Sequence, residues 1–245
     1  MPRTLVIGDI HGAYRALIQV LERVGPKADD TYIFLGDYVD AWSQSPEVIN
    51  FLLDFKKSHT CIFIRGNHDQ LLSDYFEFEK AHPKWLKHGG SQTVAAYQKP
   101  VFQKDKERHL EFLKSLVNYH LDSENRLFIH AGFTNLKGIK QEWFEKMFYW
   151  DRTLWELAAV TPEDLAVKSI NYPSRLKLYK EVYIGHTPTL KLGSDKPLVK
   201  HRIHNIDTGG GFNKGKITVY DIDSKKYWQS DTAGSLYPEE KGREL

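Results

Sequence analysis

Three times in its first 70 residues the chain runs the same way: a short apolar stretch, a glycine-bearing polar loop, then a segment with helical spacing. Leu5-Val6-Ile7, Thr31–Leu35 and Cys61–Ile64 are the apolar stretches. Such runs, bounded by turn residues and too short for helices, predict buried strands. Between the first two, Tyr14, Leu17, Ile18, Leu21 and Val24 recur on one helical face, and Gly25-Pro26 ends the repeat. Between the second and third, Pro46 suits a first helical turn, and Val48, Phe51, Leu52 and Phe55 share a face. A βαβαβ core with parallel pairing follows.

Beyond it, residues 70–119 read as mainly helical, broken at His82-Pro83, Gly89-Gly90 and Pro100. Arg126–Ile129 predicts a fourth strand. The aromatic-rich segment 133–180 is expected to be helical, with Phe148-Tyr149-Trp150 and Trp155 as the core of a lid. Val182–Ile184 and His204–Ile206 are further strands, and Ile217–Tyr220 and Lys225–Trp228 flank an Asp223-Ser224 turn as a closing hairpin. From about residue 231 the chain, charged and with Gly and Pro, reads as a loose tail. Without repeats or linkers, residues 1–245 are expected to form a single domain, with helical insertions at about 70–120 and 133–180.

At 245 residues the chain can bury a sizeable core. Its net charge of +2 is too small to suggest a nucleic-acid or membrane partner. No stretch approaches the roughly 20 apolar residues of a membrane span. The single cysteine, Cys61, cannot form an internal disulfide, which fits a reducing cytoplasm.

The strand ends carry the chemistry. Asp9 and His11 follow the first strand, Asp37 the second, Asn67 and His68 the third, His130 the fourth and His186 the fifth, most of them flanked by glycine. Residues two apart in an extended strand end point the same way, which would bring Asp9 and His11 together. One Asp or His after a strand commonly just caps the next helix. Seven such side chains, each at a strand's carboxyl end where open sheets place their ligands, point instead to one site. Carboxylate, imidazole and amide oxygen together suit hard to borderline divalent ions such as Mn, Fe or Zn. Two such ions can clamp an in-line phosphoryl displacement. Asp37 is the natural bridging carboxylate.

Gly8-Asp9-Ile10-His11-Gly12, Gly36-Asp37-Tyr38-Val39-Asp40, Arg65-Gly66-Asn67-His68-Asp69, His130-Ala131-Gly132 and Gly185-His186-Thr187, in this order, resemble the calcineurin-like metallophosphoesterases. More narrowly they resemble the phosphoprotein phosphatase family of serine/threonine phosphatases, in its bacterial and bacteriophage-lambda-type branch. The resemblance runs from about residue 4 to residue 210. It implies an α/β fold built as a two-sheet mixed β-sandwich flanked by helices, with a dimetal site at the strand ends.

Position by position, the resemblance implies Asp9 and His11 on the first metal, Asp37 between the two, and Asn67, His130 and His186 on the second. Manganese is the expected ion, with Fe or Zn on the same ligands. His68, oriented by Asp40, would give a proton to the leaving oxygen, and a water activated by both ions would attack phosphorus. Arg65 and Arg152, the latter in a Trp-x-Arg segment, would grip the phosphate. Two departures bear on substrate. Pro188 stands where related diesterases and nucleases carry a second histidine, which favours phosphatases. Ala41-Trp42 stand where many members have Arg-Gly, so one phosphate-binding arginine is missing. Trp42 suits packing in the core or at the rim, Asp207 a structural turn, and His201 and His204 no special role. The expected activity is phosphomonoester hydrolysis on phosphoserine or phosphothreonine of a protein, or on a small phosphate ester. The alternatives are symmetrical cleavage of dinucleoside tetraphosphates and, last, a non-catalytic phosphate-binding module.

Overall fold

In the computed structural model, which describes residues 2–244, β1 (Thr4–Ile7), β2 (Thr31–Phe34) and β3 (Thr60–Phe63) lie parallel, with Leu5 opposite Tyr32 and Tyr32 opposite Cys61. Helices α1 (Tyr14–Val24) and α2 (Ser45–Phe55) make the crossovers. α1 stops where Gly25 turns left-handed and its N–H caps the carbonyl of Leu21. β4 (Tyr119–Leu121), β5 (Arg126–Ile129), β6 (Glu181–Ile184), β7 (Leu198–Lys200) and β8 (Ile203–Asn205) form a second sheet in the order β4-β5-β6-β8-β7. β9 (Thr218–Asp221) and β10 (Tyr227–Gln229) are the expected hairpin, and they complete the first sheet as β10-β9-β1-β2-β3.

The two mixed sheets pack face to face. Val6, Ile33 and Leu35 of the first meet Phe128, Tyr183 and Ile206 of the second in one buried layer. Leu5, Ile7 and Phe34 face the other way, under α1 and α2. The far side of the second sheet is covered by Phe148, Leu154 and Trp155. Strands buried on both faces read as continuous apolar runs, which is how they announced themselves in the sequence. Each fully buried aliphatic or aromatic side chain contributes about 1.5–3 kcal/mol, so this double layer is the rigid body that holds the loops at its edge. Among the described residues no helix is long and apolar enough to cross a membrane.

Two expectations need correction, and two strands lie outside the sequence reading. Segment 133–180 is mostly irregular, its α-helix limited to Met147–Trp150 and Thr153–Val160. Its aromatics pack without helical spacing, and Pro162 and Pro173 keep the stretch between them from extending a helix. β4 and β7, three residues each, are too short to show any period. The segment after residue 231 is not loose. It forms a helical turn, Ala233–Leu236, and then buries Tyr237 against Trp42 with ring centroids 4.9 Å apart.

Candidate active site

The carboxyl ends of β1, β2, β3, β5 and β6 open at one edge of the sandwich, and the loops that leave them turn sharply. His11, Asp37, Asp40, Ala41 and His186 all have positive φ, between 52° and 77°. Such non-glycine conformations are uncommon and cost about 1–3 kcal/mol each, so surrounding structure must enforce them. The amides of Ile10 and His11 both donate to the Asp37 carbonyl, at 3.0 and 2.8 Å. The buried Asp69 carboxylate accepts from the amides of Asp37, Tyr38 and Gly66 at 2.7–2.8 Å. Asp69 was missed by sequence reasoning, although it is the last residue of the Asn-His-Asp motif. Burial and the neighbouring Asp37 push its carboxyl up to about 7. Asp9 and His11 therefore converge through a left-handed turn at His11, not through the alternation of an extended strand.

Two glycines make room for the carboxylates. A Cβ on Gly66 would lie 2.2 Å from Asp37 Oδ1, and one on Gly185 would lie 2.1 Å from Asp9 Oδ1. No other residue fits at either place.

Asp37 is central. Its Oδ2 lies 3.6 Å from His11 Nε2 and 3.5 Å from His130 Nε2, while Oδ1 accepts the His68 amide at 2.9 Å. Asp37 thus belongs to two clusters of possible ligand atoms, His11/Asp37/His68 and Asp37/His130/His186, each within 4.8 Å. Asp9 Oδ2 lies 3.9 Å from His11 Nε2, and Asn67 Oδ1 lies 3.2 Å from His130 Nε2. The His186 amide donates to Asp9 at 3.1 Å, tying the last strand end to the first. All six expected metal ligands are brought together.

The imidazoles are oriented from behind. His11 Nδ1 donates to the Val39 carbonyl at 3.1 Å and His130 Nδ1 to the Leu35 carbonyl at 2.8 Å. A carbonyl only accepts, so each Nδ1 carries a proton and each Nε2 is the ligand atom. His68 Nδ1 instead donates to Asp40 Oδ2 at 2.6 Å. That separates His68 from the ligands despite its place in the first cluster. Asp40, fully buried, also accepts from Trp85 Nε1 at 2.5 Å. Trp85 carries no motif and could not have been singled out from the sequence.

The site's charges call for cations. Burial drives His11 and His186 well below the ordinary imidazole range, so they are neutral. Burial also opposes charge on His130, but Asp37 and Asp9 outweigh it and raise that imidazole to about 10. Asp9 is raised well above the usual range by burial and by Asp207. The edge is thus electrostatically negative, and a proton on His130 partly offsets it. His186 Nε2 is buried with no hydrogen-bond partner among the described residues. A neutral, orphaned imidazole beside Asp9 and the anionic Asp37 fits divalent cations at the two clusters.

Above this edge lies a cavity of about 500 Å³, lined by His68, His186 and Asp207 together with Lys84, Arg152, Lys191 and Arg243. Arg152 is where the sequence placed it, and Trp150 beside it is 45% exposed, its ring centroid 6.2 Å from that of His186. Of the expected lid aromatics only Trp150 faces the site, since Phe148, Tyr149 and Trp155 are core. Arg65 does not line this cavity. Its Nη1 bonds the Gln70 side chain and its Nη2 the Leu116 carbonyl, which turns the guanidinium toward the 106–115 helix. Trp42 is core, fully buried, with Nε1 donating to the Gly210 carbonyl at 2.8 Å. Asp207 does shape a turn, accepting the Gly209 amide at 2.8 Å, but its other oxygen is buried at the cavity wall without a partner among the described residues.

A sequence model of the calcineurin-like phosphoesterase family matches residues 2–206. The chain is 28% identical over 240 residues to the asymmetrical bis(5'-nucleosyl)-tetraphosphatase PrpE of Oceanobacillus iheyensis, covering 91% of this chain and 89% of that one. It is 33% identical over 101 residues to the serine/threonine-protein phosphatase PP2A-like PPG1 of Saccharomyces cerevisiae, covering 40% of this chain and 27% of that one. Among solved structures it is similar to the hypothetical protein PH1004 of Pyrococcus horikoshii, with a TM-score of 0.63 at 17% identity, covering 98% of this chain and 92% of that one. It is likewise similar to a Saccharomyces cerevisiae protein serine/threonine phosphatase with similarity to human PP5, with a TM-score of 0.60 at 14% identity, covering 94% and 81%.

Proposed function

The chain belongs to the calcineurin-like phosphoesterase family and is a metal-dependent hydrolase; on that premise we propose that it cleaves a phosphoanhydride of a dinucleoside polyphosphate. The cavity carries this reading. Lys84, Arg152, Lys191 and Arg243 gather four cationic side chains over one site. A polyphosphate bridge carries a comparable run of charge, whereas one phosphoserine needs fewer partners. The half-exposed indole of Trp150 offers a face on which a base can stack. The name of the relative matched over nine-tenths of this chain agrees.

The residues divide the work. Asp9, His11 and Asp37 would hold one divalent cation and Asp37, Asn67, His130 and His186 the other, manganese by preference and iron or zinc on the same ligands. When bound, such a pair lowers the pKa of water and offsets phosphate charge. Asp37 is kept anionic for this, since the charge and hydrogen bond of His130, ahead of its other imidazole neighbours, outweigh the effect of burial and hold it well below the usual carboxylate range. Arg152 and the lysines position the phosphates. His68, with Nδ1–H committed to Asp40, presents Nε2 to the cavity, and there it holds the proton that passes to the leaving oxygen.

The phosphoserine and phosphothreonine reading keeps one observation of its own. An alkoxide is a poor leaving group and needs the proton that His68 and Asp40 are built to deliver, whereas an anhydride needs it less. The partial match to the yeast phosphatase agrees with that reading.

Turnover of diadenosine tetraphosphate, a phosphoserine peptide and p-nitrophenyl phosphate by manganese-reconstituted protein separates the readings. We expect kcat/KM to be at least about tenfold higher for the dinucleotide. The products then report the cleaved bond: ATP and AMP for asymmetrical attack, ADP alone for symmetrical. A preference for the peptide would overturn the proposal, and no turnover by a folded, metal-loaded sample would leave only a phosphate-binding module. We also place the protein in the cytoplasm, a reading supported by the lone Cys61, whose thiol burial pushes up to about 12.

A further inference from the structure

The guanidinium of Arg243 stands between the cluster and the cavity. Its Nη1 lies 3.3 Å from His11 Nε2 and 3.5 Å from His68 Nε2, and the side chain lines the cavity. Among the described residues no carboxylate lies within ion-pair distance of it. A half-buried guanidinium so placed, lining the cavity beside two imidazoles, offers its fork to an anion.

The chain invests heavily in holding it there. Ala233 N–H donates to the Gly215 carbonyl at 2.7 Å, and Gly234 N–H to the Asn213 carbonyl at 2.9 Å. Tyr237 is buried against Trp42, and its hydroxyl donates to Gln44 at 2.6 Å and accepts the Arg15 amide at 2.9 Å. The Glu240 carboxylate accepts both the amide and the hydroxyl of Ser43, at 2.9 and 2.7 Å. Gly242 passes so close to Trp42 that a Cβ there would lie 2.6 Å from the indole. Arg243 N–H then donates to the Gly211 carbonyl at 2.8 Å, and the guanidinium carbon lies 5.1 Å over the Phe212 ring. A cation stacked on a ring keeps its fork in a fixed plane with its N–H groups free at the edge.

We infer that Arg243 is a substrate-binding residue, delivered by segment 231–244 to the His68 side of the site, where its fork grips the phosphate being transferred or the one that leaves. The inference rests on the phosphoesterase reading above for the identity of the anion. It predicts a role in binding, since the guanidinium meets the phosphate before and during the reaction. A strap that merely blocked the site would act in the opposite direction.

Full-length wild type, Arg243→Ala and Arg243→Lys, each reconstituted with manganese and checked for metal content and thermal unfolding, provide the test. Inorganic phosphate binding by calorimetry and KM and kcat on p-nitrophenyl phosphate are the readouts. We expect Arg243→Ala to weaken phosphate binding and raise KM by about tenfold or more, with metal content unchanged. Arg243→Lys, which keeps charge and loses the fork, should fall between. Phosphate affinity unchanged in Arg243→Ala, or a rise in its kcat/KM as for removal of a plug, would overturn the inference. If wild type binds phosphate through Arg243 but hydrolyses none of the esters, the proposed activity fails and the binding role stands. If wild type is active and Arg243→Ala binds phosphate as tightly, the reverse holds.

Discussion

Replacing His68 by asparagine separates proton delivery from metal binding and reports the leaving group at the same time. His68 is 5% exposed, and its Nδ1 is 2.6 Å from Asp40, which Trp85 also holds at 2.5 Å. An imidazole this well oriented should provide the usual general-acid advantage of about 10²–10⁴-fold, equivalent to about 3–5 kcal/mol of barrier. The asparagine variant cannot carry that proton. It leaves Asp40 one of its two donors, so the stability loss should stay at about 1.5–3 kcal/mol. No metal ligand is removed, so metal content should match wild type.

The losses in kcat should then follow leaving-group basicity. A phosphoserine alkoxide needs protonation, and the full loss is expected. Nitrophenolate leaves as a stable anion, and so does a nucleotide phosphate whose second pKa is about 6. For p-nitrophenyl phosphate and diadenosine tetraphosphate the loss should therefore be about tenfold or less. Steady-state kinetics on the three substrates, with metal quantified in the same samples, reads all of this. Equal losses across the three would refute the assignment of His68 as the acid, and loss of metal would move it among the ligands.

Three further outcomes follow from the same geometry. Asp37→Asn removes the charge that both clusters share, so metal content and activity should fall together, activity by about 10³-fold or more; retained metal with lost activity would count against a bridging role. Trp85→Phe removes a charge-assisted hydrogen bond to Asp40 outside the cluster, so kcat for a phosphoserine peptide should fall about tenfold while p-nitrophenyl phosphate changes little, and a uniform drop would point to general misfolding. Asp30 takes the Arg3 fork at 2.5 and 3.0 Å and the amides of Arg3 and Lys27, which outweigh burial and lower its carboxyl to about 2. Because the folded pKa lies below the unfolded value, this stability is present above about pH 4 and lost as pH falls toward 2. It amounts to about 1–2 kcal/mol, and Asp30→Asn should flatten that limb of a urea-unfolding series against pH.

The parts of the molecule legible in the sequence are those where one residue's chemistry and its place on the chain coincide. β1, β2 and the polar side chains gathered at the strand ends are of this kind, because a strand buried on both faces must be apolar and a side chain that could hold metal must be polar. α1 is another, bounded by Gly25. Trp85 was invisible, because an indole donor to a carboxylate 45 residues away leaves no local pattern. The surroundings of Arg65 are hidden for a related reason: the Leu116 carbonyl that its Nη2 meets follows the 106–115 helix, in an insertion no motif covers. Composition alone reads the tail as loose, since charge with Gly and Pro resembles disorder unless a buried aromatic such as Tyr237 anchors it.

Ala41 shows how these two kinds of information meet. At this position the resemblance expects an arginine, and the backbone has φ of 68°, a conformation costly for any side chain with a Cβ. Ala41 is 2% exposed, and its amide donates to the Gly89 carbonyl at 3.1 Å, so the strained turn is closed over by the insertion. Trp42 next to it fills space that glycine would leave open and gives Tyr237 and Gly242 a surface to lie on. Arg243 shares a recess of about 400 Å³ with Ala41. The cation absent from the second motif is therefore present in the site, carried by a segment some 200 residues later that the same tryptophan helps to seat. The side chains that could hold metal stand at the ends of the strands. The cations that line the cavity, Lys84, Arg152, Lys191 and Arg243, come from four separate connections outside the sheets. The cavity's positive charge thus comes from segments whose sequence carries little trace of where they fold.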